Sequence, residues 1–133
     1  MTVFNPYQVY RNSQAVTATP GDLTLMLYQG AVRYLKQALR EMEKKDWGEV
    51  NRLLQRVQDI YRELMLTLNP DIALSQSLQP LYDFMIRHLM QANVRKDPAM
   101  VQEVLELSEE LRRTWEEALK LAKEQRVYQG GLG

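Results

Sequence analysis

The chain has 133 residues, 17 Lys+Arg against 17 Asp+Glu, one histidine and no cysteine. That length suits a single domain with a real core. The even charge balance gives no global field that would favour nucleic acid or a membrane surface, and the absence of cysteine excludes disulfides, thiolate metal sites and thiol nucleophiles. No apolar run approaches the ~20 residues that span a bilayer. The first ten residues, MTVFNPYQVY, have neither the basic nor the apolar region of a signal peptide. The expectation is a soluble intracellular protein without membrane insertion.

Residues 1–16 differ from the rest of the chain. They carry one charge, Arg11, and hold Phe4, Tyr7, Val9, Tyr10 and Val16. Pro6 after Asn5 can start a short helix that sets Tyr7 and Tyr10 on one face. Such a helix is too short to stand alone. It either docks on the body as a cap or moves as an arm.

Residues 17–42 predict a long amphipathic helix. Thr19 is its N-cap, Pro20 its first position and Asp22 the acid that completes a capping box. Leu23, Leu27, Gly30/Ala31, Tyr34, Ala38 and Met42 form its apolar stripe. The helix should end near Lys44 and Lys45, whose charges suit the negative helix end. Asp46 then caps a second helix, with Glu49 three residues on and a stripe from Trp47 through Val50, Leu53/Leu54, Val57, Ile60/Tyr61 and Leu64 to Leu68. It should stop at Asn69-Pro70. Ile72 and Leu74 are expected to tuck against the body.

A third helix is expected from Ser75 or Ser77 to Asn93, with Pro80 within about its first turn. Leu78, Leu81/Tyr82, Met85, Leu89 and Ala92 make its stripe; Phe84 and Ile86 widen the arc. Asp97-Pro98 opens a fourth helix running to about Gln125, whose seam steps through Val101, Val104, Ser108, Leu111, Trp115, Ala118 and Ala122. The glycine-containing tail, residues 127–133, reads as flexible. Four capped helices joined by short loops predict an all-α antiparallel up-down four-helix bundle over residues 17–126, with a short N-terminal helical arm.

Catalytic chemistry finds no candidate. A di-iron bundle needs two Glu-x-x-His pairs, and the residue three before His88 is Met85. A b-type haem between His88 and a methionine is a minor reading, because methionines at helical spacing are core filler. No Gly-rich phosphate loop is present. No cofactor is expected. The helices from Asp46 onward do carry a wide apolar arc: Leu64, Met65, Leu66 and Leu68 on the second, and Tyr82, Phe84, Met85 and Ile86 on the third. Two readings stand, a tighter core or a groove that accepts an amphipathic helix of a partner. On the residues alone the second reading describes a helix-binding adaptor, or a self-assembling bundle.

The segment NPYQVYRNSQAVTATPGDLTLMLYQGAVRYLKQA strongly resembles the start of the flagellin export chaperone family, the FliS type. The likeness continues in DIYRELMLTLN, in LYDFMIRHLMQANVRKD and in LRRTWEEALK, spanning residues 5–123. The resemblance implies a cytoplasmic, non-enzymatic chaperone that binds the C-terminal segment of flagellin in surface grooves. Such a chaperone keeps flagellin from polymerising and delivers it to the type III export gate; family dimers include exchanged-segment forms. Carried over by position, Tyr7 and Tyr10 match the N-terminal pair that covers the groove and contacts the gate. Leu64, Leu68 and Asn69 on the second helix, with Tyr82, Met85 and Leu89 on the third, are the expected flagellin contacts. The first helix is expected to serve as framework. His88 stands where the family commonly has arginine.

Overall fold

A computed structural model describes residues 19–132, with side chains as far as Arg126. Four helices form: α1 (Pro20–Glu43), α2 (Trp47–Leu66), α3 (Ala73–Arg95) and α4 (Pro98–Leu132). Among the described residues there is no strand.

The helix starts follow local chemistry. The Thr19 Oγ1 accepts from the Asp22 N–H at 3.1 Å, and Asp22 Oδ2 accepts from the Thr19 N–H at 3.3 Å, closing the capping box ahead of Pro20. Asp46 Oδ1 accepts from the Glu49 N–H at 3.2 Å at the start of α2. Asp97 Oδ1 accepts from the Ala99 N–H at 3.0 Å at the start of α4. Two helix ends are closed alike. After α1, the Lys45 N–H bonds the Met42 carbonyl and the Asp46 N–H bonds that of Glu41. After α3, the Lys96 and Asp97 N–H groups both bond the Ala92 carbonyl. Each reversal passes through a left-handed lysine, Lys45 at φ 60° and Lys96 at φ 55°.

Three boundaries differ from expectation. α3 begins at Ala73 rather than at Ser75 or Ser77, with Ile72 at the cap position. Asn69 causes this: its Oδ1 accepts from the Asp71 N–H at 3.0 Å, and its carbonyl accepts from the Ile72 N–H at 3.1 Å. The coil so made runs straight into the helix. Pro80 therefore lies beyond the first turn, inside the helix. The carbonyl it leaves unbonded, that of Gln76, belongs to an exposed residue that water can reach. α4 continues to Leu132, past the expected end near Gln125. Ile72 and Leu74 do not tuck in; they are 53% and 56% exposed.

Packing follows the stripes. α1 lies against α2 and α4, and α3 against α2 and α4, so the helices form a ring in chain order. Short reversals between successive helices make each neighbour antiparallel. Leu27, Ala31, Leu35, Ala38 and Met42 of α1 meet Val50 to Leu64 of α2, Tyr82 to Ala92 of α3, and Val101, Val104 and Leu105 of α4 in one core. Ala118 and Ala122, expected in the α4 seam, are exposed. α1 begins at Pro20, and Lys123 Nζ already stands 3.5 Å from Asp22 Oδ1. Beyond that level α4 has no described helix opposite it.

Polar contacts bridge both diagonals of the ring. The Tyr28 and Tyr82 hydroxyls bond to each other across α1 and α3. The Tyr61 and Ser108 hydroxyls do the same across α2 and α4. The Tyr61 and Tyr82 rings pack with centroids 5.5 Å apart. Tyr61, Tyr82 and Ser108 are buried, and each of these hydroxyls has a hydroxyl partner in the core.

Candidate binding pocket at one end of the bundle

At the end where α1 begins and α2 passes into α3, a cavity of about 360 Å³ opens among all four helices. α1 contributes Pro20, Gly21, Thr24 and Tyr28; α2 contributes Leu64, and Thr67 and Leu68 follow its end. The connection adds Asn69 and Ile72, α3 adds Leu74, Ser75, Leu78 and Tyr82, and α4 adds Trp115. Among the described residues no charged side chain lines it. Apolar walls with a few polar groups are what a ligand cavity requires.

The rim depends on one close approach. Trp115 Nε1–H donates to the Gly21 carbonyl at 2.9 Å, and the Trp115 ring meets that of Tyr28 edge to face at 6.4 Å. A Cβ on Gly21 would stand 2.8 Å from Leu119 Cδ2, so glycine lets α4 lie close to the first turn of α1. Across the cavity, Thr67 Oγ1–H donates to the Leu64 carbonyl at 2.8 Å and finishes α2. Burial pushes the Tyr28 and Tyr82 hydroxyls above the usual phenol range, so both stay neutral donors at physiological pH.

The expected site residues divide. Leu64, Leu68, Asn69 and Tyr82 are brought together on the cavity wall. Met85 and Leu89 are not among the lining residues; both are completely buried. They follow Tyr82 on the same stripe, one and two turns deeper, where all four helices close. Tyr7 and Tyr10 lie outside the described residues. α1 packs into the core along most of its length, and its first turns form a cavity wall. The sequence pattern places Trp115 in the α4 seam and assigns Gly21 no role, and nothing local marks their contact. The one available signal was a glycine directly after Pro20, in a helix turn where glycine has no propensity advantage.

His88 is a boundary residue: its ring stacks on Phe84 at 4.9 Å and its Nε2 meets Glu103 Oε2 at 2.7 Å, linking α3 to α4. Among the described residues no cluster of His, Asp or Glu could hold a metal ion, and no helix is long and apolar enough to cross a membrane.

The family model described as flagellar protein FliS matches residues 3–122. The chain belongs to the FliS family. It is 39% identical to the flagellar secretion chaperone FliS of Bacillus subtilis (strain 168), over 99% of each chain. It is 30% identical to the FliS of Vibrio cholerae over 80% of this chain and 79% of that one, and 30% identical to that of Escherichia coli K12 over 84% and 85%. A crystal structure of a bacterial flagellar chaperone superposes with a TM-score of 0.71, covering 85% of this chain and 96% of that one; at 22% identity this likeness concerns the fold. FliS is a family of chaperones, not of enzymes. The FliS match includes residues 3–18, and with them Tyr7 and Tyr10.

Proposed function

We propose that this chain is a cytoplasmic chaperone that binds the C-terminal segment of flagellin, keeps it from polymerising, and hands it to the flagellar type III export gate. The observation that carries this reading is the uncharged cavity at the open end of the bundle, in a chain of the FliS family. Apolar walls from four helices suit an amphipathic helix laid into a groove. Ile72 and Leu74 stand exposed at the mouth, with Leu66 81% exposed nearby, and they extend the apolar surface beyond the cavity itself.

Magnitudes favour that extended contact. A disordered client that folds on binding loses roughly 5 kcal/mol to ordering. At about 25 cal/mol per Å² that loss alone takes ~200 Å² of buried apolar surface to offset. Useful affinity therefore needs the client to cover the mouth residues as well as fill the cavity.

The described residues begin at Thr19, next to Pro20 and Gly21, two residues of the cavity wall. Residues 1–16, with Tyr7 and Tyr10, cover the cavity when it is empty and contact the export gate when the client has displaced them. Deleting residues 1–16 leaves the bundle folded and flagellin binding nearly unchanged, while gate contact is lost. Calorimetric titration with a flagellin C-terminal peptide tests the client assignment. Loss of the helical circular-dichroism signal on the deletion would contradict the role given to the arm.

A further inference from the structure

Tyr28 and Tyr82 both line the cavity, although their side chains are only 2% and 1% exposed. A hydroxyl carries one proton to donate and two positions that accept. Two hydroxyls therefore hold two protons, and the bond between them uses one. Among the described residues no group accepts the second proton; the other contacts of the two side chains are those of their rings, with Trp115 and with Tyr61. Two other donors of the lining are engaged, the Trp115 indole with the Gly21 carbonyl and the Thr67 hydroxyl with the Leu64 carbonyl. Because both residues line the cavity, an occupant there can supply an acceptor for the second proton. With no charged residue in the lining, an ionised group entering there would lose its hydration without meeting a countercharge.

We propose that the Tyr28–Tyr82 hydroxyl pair is a specificity-determining donor of the cavity, selecting an apolar helical occupant that brings a neutral amide oxygen to it. This rests on the reading of the cavity as the client site. The pair behaves as an either-or donor. With Tyr28→Phe the Tyr82 proton, no longer shared, is free for the occupant, and with Tyr82→Phe the Tyr28 proton is. Only the double substitution removes the donor and strands the occupant's oxygen in apolar surroundings.

The test measures two quantities on the full chain and on Y28F, Y82F and Y28F/Y82F. Calorimetry with a flagellin C-terminal peptide gives the affinity, and urea unfolding gives the stability. Both single variants lose the mutual bond, so each is less stable than the parent, and the double variant is no worse than the singles. Affinity follows the opposite pattern: the singles bind within about threefold of the parent, and the double variant binds at least about tenfold more weakly. Equal binding by the double variant overturns the donor role and leaves the client assignment standing. A single variant as weak as the double overturns it too, as does a double variant that no longer unfolds cooperatively. Failure of the parent chain to bind the peptide removes the client assignment, and the donor role with it.

Discussion

Trp115 and Gly21 are 94 residues apart, and the indole of one donates to the carbonyl of the other at 2.9 Å. The bond fastens the far half of α4 to the first turn of α1 and sets the width of the cavity rim. Trp115→Phe keeps most of the ring but loses the donor, leaving the Gly21 carbonyl to water at a half-open site. The expected loss is about 1 kcal/mol in urea unfolding. Gly21→Ala meets only the end of the half-exposed Leu119 side chain, so its expected loss is also small, under about 1 kcal/mol.

The buried hydroxyl bridge between α2 and α4 should show strong coupling. Ser108→Ala leaves the fully buried Tyr61 hydroxyl without its partner, at a cost of about 1–3 kcal/mol. Adding Tyr61→Phe removes the stranded group and recovers part of that loss. Additive losses in the double-mutant cycle would contradict the bridge.

The two left-handed lysines differ in what they hold. Lys45→Gly relieves a left-handed non-glycine residue and raises stability by about 0.5–1 kcal/mol. Lys96 has the same backbone but its Nζ lies 5.2 Å from the Trp47 ring centroid. Lys96→Gly therefore gains less, because it gives up that cation–π contact. Equal gains from the two, in chemical denaturation, would show that the contact contributes nothing.

The capping box makes part of the stability depend on acid. The Thr19 hydrogen bonds, with Lys123 adding attraction, hold the Asp22 carboxyl below its ordinary range. Its folded-state pKa is thus depressed, so its contribution is present above the unfolded value near 3.8 and is lost as pH falls through the folded one. Asp59 works in the opposite sense: burial raises its pKa, so it favours the folded state more as pH falls. Asp22→Asn should flatten stability below about pH 4, whereas Asp59→Asn should steepen the acid loss. Denaturant midpoints from pH 2 to 6 decide both.

What could be read in the residues were the features set by neighbours in the chain. Thr19, Pro20 and Asp22 specify a helix start by themselves, and Asp46 with Glu49 and Asp97 with Pro98 do likewise. The stripes placed Leu64 and Tyr82 on the inner faces. The same periodicity could not separate Tyr82 from Met85 and Leu89, because a stripe says which side is inward and not how deep the cavity reaches. The exposure of Ile72 depends on the Asn69 coil, whose hydrogen bonds no apolar pattern announces. The Tyr28–Tyr82 and Trp115–Gly21 contacts join residues 54 and 94 apart, and only the closed bundle brings them together. The family likeness adds what periodicity lacks, an expected client surface on α2 and α3.

Client binding in the cavity, rather than against the deeper core, is tested most directly by tryptophan emission. Trp115 lines the cavity and Trp47 sits at the opposite end of the bundle, so the Trp47→Phe variant carries a single reporter. Its emission is titrated with a flagellin C-terminal peptide, on that background alone and with Leu68→Ala or Leu89→Ala added. The emission is expected to change on binding. Leu68→Ala should bind more weakly with only a modest stability loss, whereas the fully buried Leu89→Ala should lose about 2–5 kcal/mol in stability. A peptide that binds without altering Trp115, with Leu68→Ala binding as tightly as the parent, would contradict binding in the cavity.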